Sequence, residues 1–260
     1  METITSVRNR RVVDAVALGN RTERRRRGRH LAEGPRVVAE ALAAGAVEEL
    51  FATEAALATL DVPEDVAVRL VADHVMERLS DARTPQGVVG VVRTELAPLD
   101  AVVGHGLLVV LHEVADPGNA GTIVRTADAV GAVGVVLTPD SVDAHAPKTV
   151  RAAAGSTYHL PIVEGVALSE VAAACREAGQ PLLGLDTHGR RSVFDLETAT
   201  PPIAIVLGNE AHGLPGAVAE VLDDTVAIPV WGRAESLNVA AAAAVALYAA
   251  GRGVHEPPRT

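Results

Sequence analysis

Hydrophobic positions in the first part of the chain alternate between helical and strand-like spacing. The segment EGPRVVAEALAAG predicts a helix that starts at Pro35, and a strand follows around Glu49–Ala52. DVAVRLV and GVVGVVRT have the apolar, β-branched composition of two more strands, and DHVMERLSD predicts a helix between them. The segment ELAPLDAVVGHG, which carries proline and glycine, then predicts a domain boundary near residues 95–105.

From Gly106 onward, short apolar runs alternate with helical patterns. LLVVLHEV, VGVVLTP, PLLGLD, IAIVLG and VAIPV are continuous runs, as expected for strands covered on both faces of a parallel sheet. The predicted helices are PKTVRAAAG, ALSEVAAACREAG and SLNVAAAAAVALYAAG, the last with Ser236 as its N-cap. We therefore expect an α/β domain with a mostly parallel sheet over residues 105–260, after a smaller α/β domain over residues 1–95.

Three polar, glycine-rich loops follow predicted strands in this second part. They are ADPGNAGTIVRTADAVG, NEAHGLP and WGRAESLNVA. Taken singly, Asn119 could be a helix cap and Glu210 an exposed turn residue. Ligands of open parallel sheets bind beyond the carboxyl ends of the strands, so three such loops together predict one shared site. His212 lies next to this site, where we interpret it as structural.

Composition excludes several classes of site. The chain has no phosphate-binding GxxxxGK[ST] motif, and its glycines do not match the dinucleotide fingerprint. Cys175 is the only cysteine and has no histidine beside it in sequence, so neither a zinc cluster nor a thiol nucleophile is supported, and we expect no metal. A lone cysteine fits a reducing compartment. With no signal peptide and no apolar segment of about 20 residues, we expect a cytoplasmic protein without a membrane span.

The charge of the chain is unevenly distributed. The formal net charge is -10, yet residues 1–30 contain nine arginines and only three acidic residues. Such a basic segment usually contacts phosphate, although a solvated helix face or a disordered tail remains an alternative. Aromatic residues are only 2% of the chain, and we expect most of them to be core residues rather than platforms for nucleic-acid bases.

The three loops together resemble a known family. NAGTIVRTADAVG, IVLGNEAHGLP and IPVWGRAESLNVAAAAAVAL are similar, in order and spacing, to the three motifs of the SpoU (TrmH) branch of the SPOUT superfamily. These are ribose 2′-O-methyltransferases that use S-adenosylmethionine on RNA. The resemblance covers roughly residues 105–252. EGPRVVAEALAAG more weakly resembles the ribosomal-protein-like, RNA substrate-binding domain of the ribosomal-RNA members. The resemblance implies a deep trefoil knot, a homodimer formed through the last helix and the first motif's helix, and ribosomal RNA as the partner.

The resemblance also implies which residues form the site. The implied catalytic residues are Arg125, Asn119, Glu210, Ser236 and Asn238. The implied cofactor-binding residues are Leu137, Thr138, Pro139, Leu207, Gly208, Asn209, Ile228, Pro229, Ser236 and Leu237. The predicted RNA-binding residues are Arg8, Arg10, Arg24, Arg25, Lys148 and Arg151.

Elementary chemistry limits the roles of these residues. A guanidinium has a pKa above about 12, so Arg125 is better suited to hold a phosphate or a developing alkoxide than to act as a base. Glu210 and Ser236 are expected to fix Asn238 and the loops, and a side chain at Gly208 is expected to crowd the cofactor. The expected activity is 2′-O-methylation of 23S ribosomal RNA. The alternatives are a transfer-RNA ribose methyltransferase and a catalytically silent RNA-binding protein.

Overall fold

The computed structural model describes residues 2–198 and 202–254, which form two compact units. The first unit comprises Met1–Glu95 and His145–His159, and the second comprises Leu96–Ala144 and Leu160–Thr260. The segment His145–His159, which contains the predicted helix PKTVRAAAG, therefore belongs to the first unit although it lies within the sequence range of the second.

Helices and strands alternate along both units. The α-helices are α1 (Arg10–Ala17), α2 (Arg21–Arg27), α3 (Pro35–Ala43), α4 (Glu54–Leu57), α5 (Asp73–Leu79), α6 (Pro117–Ala129), α7 (Pro147–Ala153), α8 (Leu168–Glu177), α9 (Gly216–Ala219) and α10 (Val239–Val254). The strands are β1 (Arg29–Glu33), β2 (Val47–Ala52), β3 (Ala67–Leu70), β4 (Val88–Arg93), β5 (Leu107–Leu111), β6 (Gly134–Leu137), β7 (Ile162–Glu164), β8 (Leu182–Leu185), β9 (Arg191–Ser192), β10 (Ile203–Leu207) and β11 (Asp224–Ala227).

The first unit is built on a four-stranded mixed sheet with the order β1-β4-β2-β3. β4 pairs antiparallel with both neighbours, and β2 pairs parallel with β3. β4 alternates its side chains between two cores, because Val89 and Val91 pack with α1 and α5 while Val88 and Val92 pack with α3. The helix from Pro35 and the strands DVAVRLV and GVVGVVRT are confirmed.

The segment His145–His159 contributes α7 and a following 3₁₀ turn to the first unit. Val150 of α7 is fully buried in the core that contains α3, and α7 contacts β1. Burial of this apolar face explains why a short helix with no side-chain N-cap bond forms here.

The second unit contains a seven-stranded sheet with the order β7-β6-β5-β10-β8-β11-β9. Every neighbouring pair in it is parallel. All five residues of β5 and of β10 are buried, as their continuous apolar sequences predict for central strands. The predicted α/β class with a parallel sheet is confirmed.

The helices of the second unit cover this sheet. α8 packs Leu168, Val171 and Cys175 against a core that includes Val110 and Val206. α10 contacts β5, β10 and α6. Cys175 is buried, and burial raises the pKa of its thiol to about 11, so it remains protonated at neutral pH. Within the described residues, no helix has the length and apolar character needed to cross a membrane.

One predicted helix boundary is wrong. α10 begins at Val239, and the hydrogen bonds of the Asn238 side chain make Asn238, rather than Ser236, its N-cap. The Asn238 Oδ1 accepts hydrogen bonds from the backbone N–H groups of Ala240 (2.9 Å) and Ala241 (3.3 Å). An asparagine in this position satisfies first-turn donors as well as a serine does, so the two candidates could not be separated from sequence.

Candidate active site

A pocket of about 400 Å³ lies at the carboxyl ends of β8, β10 and β11. This is the edge of a parallel sheet where ligands are expected, and the volume is within the range of small-molecule sites. Its lining combines apolar side chains with a few polar groups: Leu185, Asp186, Thr187, His188, Leu207, Gly208, Asn209, Glu210, Ala211, His212, Gly213, Ile228, Val230, Ser236, Leu237, Val239 and Ala242.

The pocket contains six of the residues that the resemblance implied for the cofactor. Those six are Leu207, Gly208, Asn209, Ile228, Ser236 and Leu237. Leu137, Thr138, Pro139 and Pro229 do not line it. The segment Leu185–His188 does line it and was missed. The sequence signal for this segment is the polar turn DTHG after the apolar run PLLGL, because a polar turn after an apolar strand is also the pattern of the three motif loops.

Gly208 is required by the protein backbone. A Cβ atom at this position would lie 2.4 Å from the Gly213 carbonyl oxygen and 2.9 Å from the Leu214 Cδ2 atom. Asn209 and Gly213 exchange backbone hydrogen bonds that hold the loop tightly folded over residue 208. The close approach of this loop therefore explains the glycine in terms of the chain itself, whereas we expected a clash with the cofactor.

Glu210 connects the second motif to the first. Its carboxylate accepts hydrogen bonds from the backbone N–H groups of Ala115 (3.1 Å) and Asp116 (3.0 Å). It also accepts one from the Asn119 Nδ2 (3.0 Å). The Asp116 side chain in turn accepts from the Asn119 backbone N–H and caps α6, with Pro117 in the first turn. The start of α6 is thus held by Glu210 on one side and by its own cap on the other.

The third motif joins the same network through Asn238. Its Nδ2 donates to the Asn119 Oδ1 at 3.1 Å, while its own oxygen caps α10. One continuous hydrogen-bonded chain therefore runs from Glu210 through Asn119 to Asn238. Side chains from three separate loops meet here, as the sequence predicted for a shared site.

The hydrogen bonds keep Glu210 ionised. Desolvation by itself would raise the pKa of this carboxyl, but the bonds from Asn119, Ala115 and Asp116 together outweigh it and hold the pKa below its ordinary value. An ionised carboxylate whose oxygens accept three donors is suited to orient its partners and poorly suited to donate a proton. Glu210 fixes Asn119 directly, and it reaches Asn238 only through Asn119.

A second set of hydrogen bonds supports the loop between β5 and α6. Glu113 lies in this loop with a φ of 56°, a left-handed conformation that costs a non-glycine residue roughly 1–2 kcal/mol. Its carbonyl accepts from the Asn209 Nδ2 at 2.8 Å, and its N–H donates to the Thr138 Oγ1 at 3.3 Å. Thr138 also lies 3.2 Å from the His112 Nδ1. Thr138 was predicted to bind cofactor, but its hydroxyl is directed to this loop.

Arg125 and Ser236 lie outside the hydrogen-bonded network. Arg125 is exposed on α6, six residues and about 9 Å along the axis beyond Asn119. Among the described residues, neither its guanidinium nor the Ser236 hydroxyl has a hydrogen bond or an ion pair. Ser236 is exposed and lines the pocket. Arg125 therefore presents all its donors to solvent, and Ser236 does not fix Asn238.

The N-terminal arginines divide into buried and exposed groups. Arg8, Arg10 and Arg25 are exposed, and Arg10 has only a weak, 3.9 Å contact with Asp14. Arg24 is only 6% exposed and donates to the carbonyl oxygens of residues 18 and 19, which ties α2 to the end of α1. The burial of Arg24 and the use of its donors inside the fold argue against the predicted RNA contact. The basic segment forms two helices rather than a tail.

Arg151 also has a structural role within the first unit. It forms ion pairs with Glu33 (2.8 Å) and Asp81 (2.7 Å), and Glu33 is only 7% exposed. Its charge is already balanced by two carboxylates, which argues against the predicted RNA contact. Lys148 is exposed one turn earlier on α7.

A parallel α/β sheet with a ligand-sized pocket at its carboxyl edge, beside three motif loops joined by hydrogen bonds, defines a cofactor-binding α/β enzyme. The family model described as SpoU rRNA Methylase matches residues 106–248. A second model, described as an MRM3-like substrate binding domain, matches residues 9–90. This chain belongs to the SpoU rRNA methylase family, as its motifs predicted.

Relatives match the chain over nearly its whole length. It is 31% identical to the 23S rRNA (guanosine(2553)-2′-O)-methyltransferase RlmP of Bacillus subtilis, covering 95% of this chain and 98% of that protein. It is 38% identical to a 23S rRNA (uridine(2479)-2′-O)-methyltransferase of Streptomyces viridochromogenes, covering 90% and 86%. The crystal structure of an AdoMet-bound rRNA methyltransferase from Sinorhizobium meliloti superimposes with a TM-score of 0.87 at 32% identity, covering 98% and 99%. Structural neighbours of this chain therefore bind S-adenosylmethionine.

Proposed function

We propose that this protein is an S-adenosylmethionine-dependent ribose 2′-O-methyltransferase that acts on 23S ribosomal RNA in the cytoplasm. The observation that carries the proposal is the hydrogen-bonded chain from Glu210 through Asn119 to Asn238 beside the pocket. The names and full-length coverage of the Bacillus and Streptomyces relatives support the ribosomal substrate.

The pocket fits the proposed methyl donor. Leu207, Ile228 and Leu237 offer apolar surface suited to an adenine ring. Asp186 and Glu210 place two carboxylates at the lining, which suits the positive charges of a sulfonium and an ammonium group. When bound, S-adenosylmethionine supplies a methyl group that its sulfonium charge already activates.

The protein's own groups would position the ribose and stabilise the charge that develops on its 2′ oxygen. Asn119, held by Glu210 and Asn238, is placed to orient the ribose. Arg125 would donate hydrogen bonds to a neighbouring phosphate or to the developing alkoxide, while the hydroxyl proton passes to solvent. A guanidinium is a strong donor at every physiological pH, and this role needs no deprotonated form.

The first unit would supply affinity for RNA. Arg8, Arg10 and Arg25 are exposed on or next to α1 and α2, within the range matched by the substrate-binding domain model or directly before it. Contacts of this kind release counterions, so affinity should fall steeply with salt concentration. Arg24 and Arg151 are not proposed as contacts, because both are engaged within the fold.

We further propose a homodimer formed through α10 and α6. Tyr248 on α10 is 56% exposed, and the helix is otherwise rich in alanine, which permits close packing. Sedimentation equilibrium is expected to give a dimer for the wild type and a monomer for Tyr248→Glu. A monomeric wild type would contradict this part of the proposal. The trefoil knot also stays a prediction.

Methyl transfer from labelled S-adenosylmethionine to unmethylated 23S, 16S and transfer RNA tests the proposed function. We expect label on 23S RNA, with a loss of at least about 100-fold in Arg125→Ala, as for removal of a preorganised transition-state donor. Arg176→Ala is the matched control, because Arg176 is an exposed arginine on α8 of the same unit. Label on transfer RNA alone would favour the transfer-RNA alternative, and no label on any RNA would favour a silent RNA-binding protein.

A further inference from the structure

Trp231 is the most exposed large hydrophobic side chain of the described residues, at 86%. It is the only tryptophan of the chain. Phe194 and Tyr248 are also exposed, so the expectation that most aromatic residues lie in the core is wrong for three of the five. A tryptophan with this exposure buries little of its side chain in the fold and presents most of its ring to solvent.

The position of Trp231 places it at the edge of the pocket. Val230 and Leu237 both line the pocket, yet they are 42% and 43% exposed, so this edge is apolar and open. Trp231 directly follows Val230 and is itself outside the lining. Arg233, two residues farther along the same loop, is exposed and has no ion pair among the described residues. The loop thus carries an exposed aromatic side chain, Trp231, close in sequence to an exposed arginine, Arg233.

We propose that Trp231 stacks on a nucleobase of the RNA, at the target nucleotide or next to it. The proposal rests on the proposed function. If the 2′ oxygen of a ribose must reach a methyl donor in the pocket, a base attached to that ribose or its neighbour must lie near the pocket edge. Every base has a π-face, and stacking on an aromatic side chain contributes about 1–3 kcal/mol. Arg233 would complete the contact at a neighbouring phosphate.

Two other occupants of this surface are less well supported. If the adenine of the cofactor covered the indole, Trp231 would line the pocket, and it does not. If a second copy of the chain covered Trp231, the charged residues Arg233 and Glu235 beside it would be covered as well, and charged residues are depleted from the cores of protein–protein interfaces. An aromatic beside a cation matches single-stranded RNA better than it matches a dimer interface.

Because Trp231 is the only tryptophan, fluorescence excited at a wavelength that the tyrosines do not absorb reports on Trp231 alone. We would titrate the wild type with S-adenosylhomocysteine, with a 23S RNA fragment, and by dilution of the protein. The proposal predicts quenching by RNA and little change in the other two titrations. Emission that responds to S-adenosylhomocysteine alone would assign the indole to the cofactor, and emission that responds to dilution alone would assign it to a dimer. Either result overturns the proposal.

Kinetics of substituted proteins provide the second readout. Trp231→Ala is expected to lower kcat/KM for RNA by about 5- to 150-fold, the equivalent of the stacking energy. Its KM for S-adenosylmethionine should be unchanged, and Trp231→Phe should restore most of the loss. Leu96→Ala, at another exposed hydrophobic of the same unit, is the control. If Trp231→Ala transfers methyl as well as the wild type, this inference fails. If the wild type transfers none, the proposed function fails instead.

Discussion

The two sides of the pocket differ in how the protein holds them. The bonded side consists of Asn209 and Glu210, which line the pocket, together with residues 113–119, to which both are hydrogen-bonded, and hydrogen bonds from three loops fix it. The open side consists of residues 230–237. Among the described residues, no hydrogen bond or ion pair involves this segment, and all of it is exposed. On the proposed function, the groups of the bonded side are preorganised for the reaction, and the open side would be completed by ligands.

The largest effect on kcat is expected from substitution of Glu210, the residue that joins the loops of the bonded side. Glu210→Ala removes the acceptor of three donors and frees Asn119, so we expect kcat to fall at least about 100-fold, since a displacement of about 1 Å can cost that much. Circular dichroism would check that the variant is folded. Asp186→Ala, which removes another carboxylate of the lining, should chiefly raise the KM for S-adenosylmethionine. A Glu210→Ala enzyme with the wild-type kcat would contradict the role of the bonded side.

A smaller effect on kcat is expected from substitution of Asn209 or Thr138, the two residues that hydrogen-bond to Glu113 in the loop between β5 and α6. Asn209→Asp keeps the oxygen that accepts from Ala211 but loses the donor to the Glu113 carbonyl, and Thr138→Val removes the other bond to Glu113. Each leaves a polar group without its partner, at a cost of about 1–3 kcal/mol, and we expect kcat to fall about tenfold. Thr138→Ser should restore the rate. Loss of cofactor affinity with an unchanged kcat would show that these residues act on the pocket instead.

The pH dependence of stability sharpens the comparison further. The pKa of Glu210 is lowered in the folded protein, so its stabilising contribution is fully present above the unfolded value of about 4.3 and is lost as the pH falls through the folded value. The difference in unfolding free energy between wild type and Glu210→Gln should be constant above pH ~5 and shrink below pH ~4. Urea unfolding over this range would measure it. A difference that grows as the pH falls would mean that folding raises the pKa of Glu210, and it would contradict the lowered pKa on which this prediction rests.

The smallest effect on kcat is expected from substitution of Ser236, which lies on the open side. Ser236 has no hydrogen bond among the described residues, so Ser236→Ala should change kcat by less than about threefold, the scale of a surface substitution. Any loss should appear in the KM for S-adenosylmethionine, because Ser236 lines the pocket. Steady-state kinetics would separate the two, and a 100-fold loss of kcat would show that Ser236 belongs with the reacting groups.

Sequence predicted the parts of this molecule that depend on local pattern. The buried strands and the meeting of three loops at one edge follow from apolar runs and parallel topology, and both are confirmed. What it could not predict depends on tertiary contacts. Arg24 has the same local sequence as its exposed neighbours, and only folding directs it at two carbonyls. Arg151 likewise pairs with Glu33, which lies 118 residues away. Asn238 rather than Ser236 caps α10, because either residue type can fill that position.

The most direct test of the central claim is to map the nucleotide that carries the added methyl group. Ribosomal RNA would be isolated from cells that lack the protein and from cells that carry the wild type or Glu210→Ala, and its 2′-O-methylated riboses would be mapped by resistance to alkaline cleavage. We predict one ribose of 23S RNA that is methylated only with the wild type. A modification on a base, or a ribose methylated equally with Glu210→Ala, would contradict the account.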